Sequence, residues 1–116
     1  MSRTKQISGT NNRLVEMFLE MLSAERGAAQ NTLAAYRRDL TDFAALVVSR
    51  GRDLETASAD DIRAYMAGLS DAGMAAATAA RRLSAIRQLF RFLFAENMRT
   101  DDPAGTVASP RQGRQL

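Results

Sequence analysis

This sequence of 116 residues has no cysteine, no histidine, no tryptophan and only one lysine. Each absence removes some chemistry. Without cysteine there is no disulfide framework, thiol nucleophile or Cys-type zinc site. Without histidine there is no Ser-His-Asp triad, HExxH metal site or imidazole acid–base group. An enzyme made from this chain would work with carboxylates, Ser/Thr, Tyr, Arg or Lys5 alone. That is possible, but most common hydrolase and metalloenzyme designs are gone, and no metal site or cofactor is expected. No apolar run approaches the roughly 20 residues of a membrane span. The opening MSRTKQISGTNN lacks the apolar stretch of a signal peptide. A cytoplasmic protein with no membrane partner is the expectation.

What remains is a length that fits one domain, able to bury roughly two-thirds of its unfolded surface. The formal charge is +3, from 16 basic and 13 acidic side chains. Nearly all the cations are arginines. Arginine offers a planar five-donor fork suited to phosphate oxygens and guanine edges, which lysine does not reproduce. A GC-rich genome would give the same bias, so the positions of the arginines matter more than their number.

The apolar spacing predicts four helices. Residues 1–12 are polar and read as a loose arm. A first helix is expected from about Arg13 to Arg26, capped by Asn11 or Asn12, with Leu14, Phe18, Met21 and Leu22 inward. A second runs from Thr32 to Ser49 behind an Asn31 cap, burying Leu33, Tyr36, Leu40, Phe43 and Val47. Leu54 plugs the core from the connector that follows. Ser58 and Asp61 approximate a capping box for a third helix over 59–72, with Ile62, Tyr65, Met66 and Leu69 inward. A fourth, over 75–97, buries Ala79, Leu83, Ile86, Phe90 and Leu93. Gly27, Gly51 and Gly73 stand where helices should stop. The last stretch, DDPAGTVASPRQGRQL, reads as an exit linker with one short turn after Pro103. With no alternating strand pattern, the fold class is all-α. It has three parts: an arm at 1–12, a packed unit at 13–100 and a linker at 101–116.

Two places stand out on the expected surface. The outer face of the fourth helix carries Arg81, Ser84, Arg87, Gln88 and Arg91, with no acid among them. Like charges four residues apart cost a few tenths of a kcal/mol in a lone helix. A polyanion along this face would reverse that sign, and Ser84 and Gln88 have donors for base edges or phosphates. The same pattern also fits an Arg-rich solvated face. The second place is the start of the second helix, Asn31, Thr32, Tyr36, Arg37 and Arg38. There, free backbone N–H groups and the positive dipole end favour phosphate, although simple capping by Asn31 explains the residues equally well. The pairs Asp60-Asp61 and Asp101-Asp102 fit helix-start and linker chemistry, and the methionines fit core filling.

The strings NTLAAYRRDLTDF at 31–43, TAARRLSAIRQLFRFLFAEN at 78–97 and DDPAGTVASPR at 101–111 resemble the N-terminal core-binding domain of tyrosine recombinases, in the Xer branch. The resemblance runs from about Asn12 to Arg114. It implies a SAM-like orthogonal four-helix bundle forming half of a clamp around double-stranded DNA, with the second and fourth helices at the major groove. By position, Thr32, Arg37 and Arg38 would hold phosphates. Arg81, Ser84, Arg87, Gln88 and Arg91 would lie along the groove. It also implies recombinase protomers assembled as a tetramer on DNA, with Leu19 of the first helix a candidate contact. In this family the catalytic residues, histidines and a nucleophilic tyrosine among them, belong to a further domain, so this chain alone would not cut DNA. A helical SAM-like interaction module without DNA affinity is the alternative, and a small helix-turn-helix regulator is a weaker one.

Overall fold

The computed structural model describes residues 2–108 of the chain. Four helices follow one another: α1 (Ser2–Arg26), α2 (Gln30–Ser49), α3 (Ala59–Asp71) and α4 (Ala76–Ala95). A short 3-10 helix, Pro103–Thr106, comes after them. α4 packs against the other three helices and against the 3-10 turn, so it is the axle of the bundle. Phe18, Phe43 and Phe90 are fully buried around it. Phe43 meets Phe90 edge-on at 6.0 Å and Tyr65 at 5.3 Å, geometries that suit the ring quadrupoles.

All four helices stop by one device. A residue at or just past the cap takes a left-handed φ: Gly27 directly after α1, and Gly51, Gly73 and Asn97 (62°) one residue past the caps of α2, α3 and α4. The next N–H then reaches back to a carbonyl in the last turn, as in Met98 N–H to Leu93 C=O at 2.8 Å. Asn97 therefore lies outside α4 as its terminator, where the periodicity carries the helix through it. The Ser58 capping box forms in full, with Ser58 accepting from the Asp61 N–H and Asp61 accepting from the Ser58 N–H.

Four expectations are corrected. The arm over 1–12 is helix, since α1 already begins at Ser2. Asn11 is therefore no cap. It is 3% exposed, and its Oδ1 accepts the Leu54 N–H at 3.0 Å, so a polar residue pins the core plug in place. Asn31 does not cap α2 either. The cap is Ala29, with no side-chain bond, and Asn31 sits exposed in the first turn. Leu19, expected on the surface, is 3% exposed. α1 packs against both α2 and α4, so its buried face widens to take in Val15 and Leu19.

The segment after α4 is docked onto the bundle through residue 107. Pro103, Ala104 and Val107 are buried. Arg99 is 9% exposed and donates to the carbonyls of Leu54 (2.9 Å) and Ala57 (2.8 Å), with its guanidinium 5.1 Å from the Phe90 ring centre. It satisfies two buried acceptors of the α2–α3 connector. The part of the expected linker over 109–116 lies outside the described residues.

Asp61 also fixes that connector. It is fully buried and bonded by Arg50 (2.6 Å), by Arg52 (2.7 and 3.0 Å) and by Ser58. The Arg52 guanidinium, followed by Arg50 and the Ser58 donors, holds its carboxyl well below the ordinary carboxylate range against the opposing cost of burial.

Candidate nucleic-acid interface

The two stretches singled out in the sequence meet on one surface. Asn31, Thr32, Ala35 and Tyr36 of α2 and Arg81 of α4 line a common shallow depression. Two turns further along α4, Gln88 donates to the Tyr36 hydroxyl at 3.2 Å and to Ser84 Oγ at 3.2 Å. Gln88 Oε1 accepts from Arg26, at the end of α1, at 3.3 Å. α1, α2 and α4 are thus tied together at Gln88.

The arginine stripe is less naked than α4 alone suggests, because its counter-charges come from other helices. Asp39 of α2 is 1% exposed and takes two bonds from Arg81, Nε at 3.1 Å and Nη2 at 2.9 Å. Arg82 lies 3.3 Å from the same carboxylate and reaches Asp42 at 2.9 Å and the Tyr65 hydroxyl at 2.8 Å. Tyr65 in turn donates to Asp42 at 2.8 Å. Burial of the Tyr65 ring pushes its hydroxyl up to about 12, against the lowering pull of the Arg82 bond. Arg37 grips Glu16 of α1 with two bonds, 2.7 and 2.8 Å, and this holds the Glu16 carboxyl below its ordinary value.

Pairing does not exhaust these cations. Arg81 spends two of its five N–H donors on Asp39 and keeps three for a ligand. The buried carboxylate fixes the guanidinium in place while the Arg81 side chain stays 43% exposed. Arg38 and Arg91 are exposed and make no ion pair among the described residues. Arg87 departs from the groove-facing expectation, since it donates to the Val107 carbonyl and so faces the C-terminal segment. The depression beside it is lined by Arg87, Arg91, Asp102, Ala104 and Gly105.

Asn31, Thr32, Tyr36, Arg81, Ser84 and Gln88 therefore form one contiguous patch, with Arg91 at its far end. Arg37 is held by Glu16 of α1, Arg38 is exposed on α2, and Arg87 lies toward the C-terminal segment. The sequence reading missed three participants. Asp39 and Asp42 act across helices, and a pattern read along one helix does not register them. Arg26 sits on α1, and its only signal is a basic residue in a last turn.

This geometry belongs to a bundle whose family is identifiable. The phage integrase N-terminal SAM-like domain model matches residues 15–97, and the chain belongs to that family. Among individual relatives, it is 55% identical over 102 residues to tyrosine recombinase XerD of Rhizobium meliloti. It is also 50% identical over 101 residues to XerD of Caulobacter vibrioides and 46% over 110 to XerD of Agrobacterium fabrum. These alignments take in 87–95% of the chain but 33% of each relative. The chain spans about a third of the length of the curated relatives it matches. Among the described residues, no helix is long and apolar enough to cross a membrane.

Proposed function

We propose that this chain is the DNA-gripping, non-catalytic part of a site-specific tyrosine recombinase, and that it lays the α2–α4 face in the major groove of duplex DNA. The observation that carries the reading is the convergence of the two stretches. Residues chosen from separate helices for phosphate and base-edge chemistry share one surface, joined by the Gln88–Tyr36 bond. Arg26, Arg38, Arg81 and Arg91 are its exposed cations. Asn31 and Thr32 lie beside the free N–H groups of the α2 start, where the dipole favours phosphate. The serine and tyrosine hydroxyls supply neutral donors between the charges. Strand cleavage, the recombination of target sites and assembly with other protomers belong, in this reading, to the longer protein of which the XerD relatives are examples. Its partners are the DNA, a catalytic domain and further recombinase subunits in a tetramer.

The reading is tested by two substitutions of equal charge change. Arg91→Ala removes an exposed cation that makes no ion pair among the described residues. Arg63→Ala removes one from α3, where it is paired with Asp60 at 3.0 Å. Fluorescence anisotropy with duplex DNA should show weaker binding for the first and unchanged binding for the second. Equal losses would mean charge attraction with no defined face.

A further inference from the structure

The family match ends at Asn97, yet the chain stays on the bundle through Val107. It turns back after α4 and runs along that helix toward its first turn. Asp102, Ala104 and Gly105 share a depression with Arg87 and Arg91. Ala108 then borders Ala76 and Ala79 of α4 and Met66 and Ser70 of α3. From the level of Arg91 to that of Ala79 the segment retraces about 18 Å of helix, at 1.5 Å per residue. Ala79 lies two positions before Arg81, roughly 200° round the helix. The segment therefore ends on the opposite side of α4 from the Asp39–Arg81 pair.

The two halves of this path are held differently. In the first half Pro103 and Ala104 are buried, and Arg99 bonds to Asp101 and to two carbonyls of the α2–α3 connector. Asp102 closes the 3-10 turn by accepting the Ala104 N–H at 3.1 Å. The second half has less. Gly105 and Thr106 are exposed, and the Arg63 contact with the Thr106 hydroxyl is long, at 3.4 Å. Val107 is buried, its N–H donates to the Ala104 carbonyl at 3.2 Å, and its own carbonyl accepts from the Arg87 guanidinium. A charged donor makes a hydrogen bond roughly twice as strong as a neutral one. The Arg87 bond is thus the strongest polar tie on the second half.

We propose that Arg87 is a latch: a positioning residue that fixes the far end of the exit segment, residues 105–108, against α4, and not a contact to DNA. With the latch closed, the chain departs from the α3 side of the first turn of α4 instead of from the last turn of that helix. The joint about which a following part can swing then lies beyond Val107. Without the latch it moves back toward Gly105. In the longer recombinase of the reading above, this sets the place and side from which the next domain reaches for the DNA. That consequence rests on the reading; the latch itself does not.

Amide hydrogen exchange of the 116-residue chain, read residue by residue by NMR in wild type and Arg87→Ala, tests this. Loss of the latch should speed exchange at Val107 about tenfold, the factor one hydrogen bond to a charged group supplies. Ala104, whose N–H is held by Asp102, should exchange as in wild type. So should Ile86 and Leu89 in the buried stretch of α4, which report the fold in the same experiment. Unchanged exchange at Val107 overturns the proposal. A rise spread over Ala104, Ile86 and Leu89 overturns it too, because Arg87 would then support the whole bundle. Duplex binding across salt concentrations gives a second readout. Losing a phosphate contact would reduce the slope of log affinity against log salt by about 1, whereas losing a latch leaves the slope as in wild type. A slope reduced by that much overturns the assignment of Arg87 and leaves the DNA-binding reading standing. If the wild type binds no duplex at all, that reading falls, and the exchange at Val107 alone decides the latch.

Discussion

Replacing Asp39 by asparagine should destabilise the fold while leaving the DNA face charged. Asp39 is buried, with two Arg81 bonds and Arg82 at 3.3 Å. Removing one partner of a fully buried pair costs about 3–5 kcal/mol, because the other charge is stranded. Here the stranded groups are not fully buried, since the Arg81 side chain is 43% exposed and that of Arg82 18%. Water recovers part of the loss, and Arg82 keeps Asp42 and Tyr65. The asparagine amide also retains one acceptor. About 2 kcal/mol remains, or roughly 10 °C in Tm for a domain of this size. Urea unfolding followed by circular dichroism would measure it. For the folded fraction, duplex affinity should be unchanged or higher, because a negative charge beneath the phosphates is gone. A variant within about 0.5 kcal/mol of wild type, a change typical of surface positions, would refute the claim that this carboxylate anchors α2 to α4.

Other expectations follow from the same bonds. Asp61 has a folded-state pKa below its unfolded value, so its contribution is complete above about pH 4 and lost as pH falls further. Asp61→Asn should lower stability at pH 7 and flatten the acid limb of a stability–pH curve. Tyr65, raised to about 12, should remain protonated when absorbance is followed up to pH 11. The stability it contributes below about pH 10 should fade as pH climbs toward 12. Arg99→Ala should cost about 3 kcal/mol by leaving the Leu54 and Ala57 carbonyls unsatisfied around a new cavity, with chemical denaturation as the check. Asn97→Gly should raise Tm by a few degrees, since glycine meets the left-handed φ of 62° without strain.

Much of the bundle was legible along the chain. Every helix, the Leu54 plug, the Ser58–Asp61 box and the turn at Pro103 follow from local spacing and turn chemistry, which are properties of neighbours in sequence. What escaped depends on neighbours in space. Asn11 looked like a cap because asparagine usually is one. Inside a bundle, its amide instead answers an N–H 43 residues away. Leu19 looked external because a single helix has one stripe, whereas α1 is covered from two sides. The α4 arginines looked unopposed because their acids are about 40 residues earlier, on α2. The two stretches were marked separately along the chain, and the fold brings them onto one surface. Its electrostatics, and the part Arg26 plays in it, needed the fold.

The central claim is that the α2–α4 face meets phosphates. The most direct test is the affinity of the 116-residue chain for duplex DNA across a range of salt concentrations, read by fluorescence anisotropy. With about four exposed arginines each neutralising a phosphate, log affinity should fall against log salt with a slope of roughly −4. A slope near zero would contradict it.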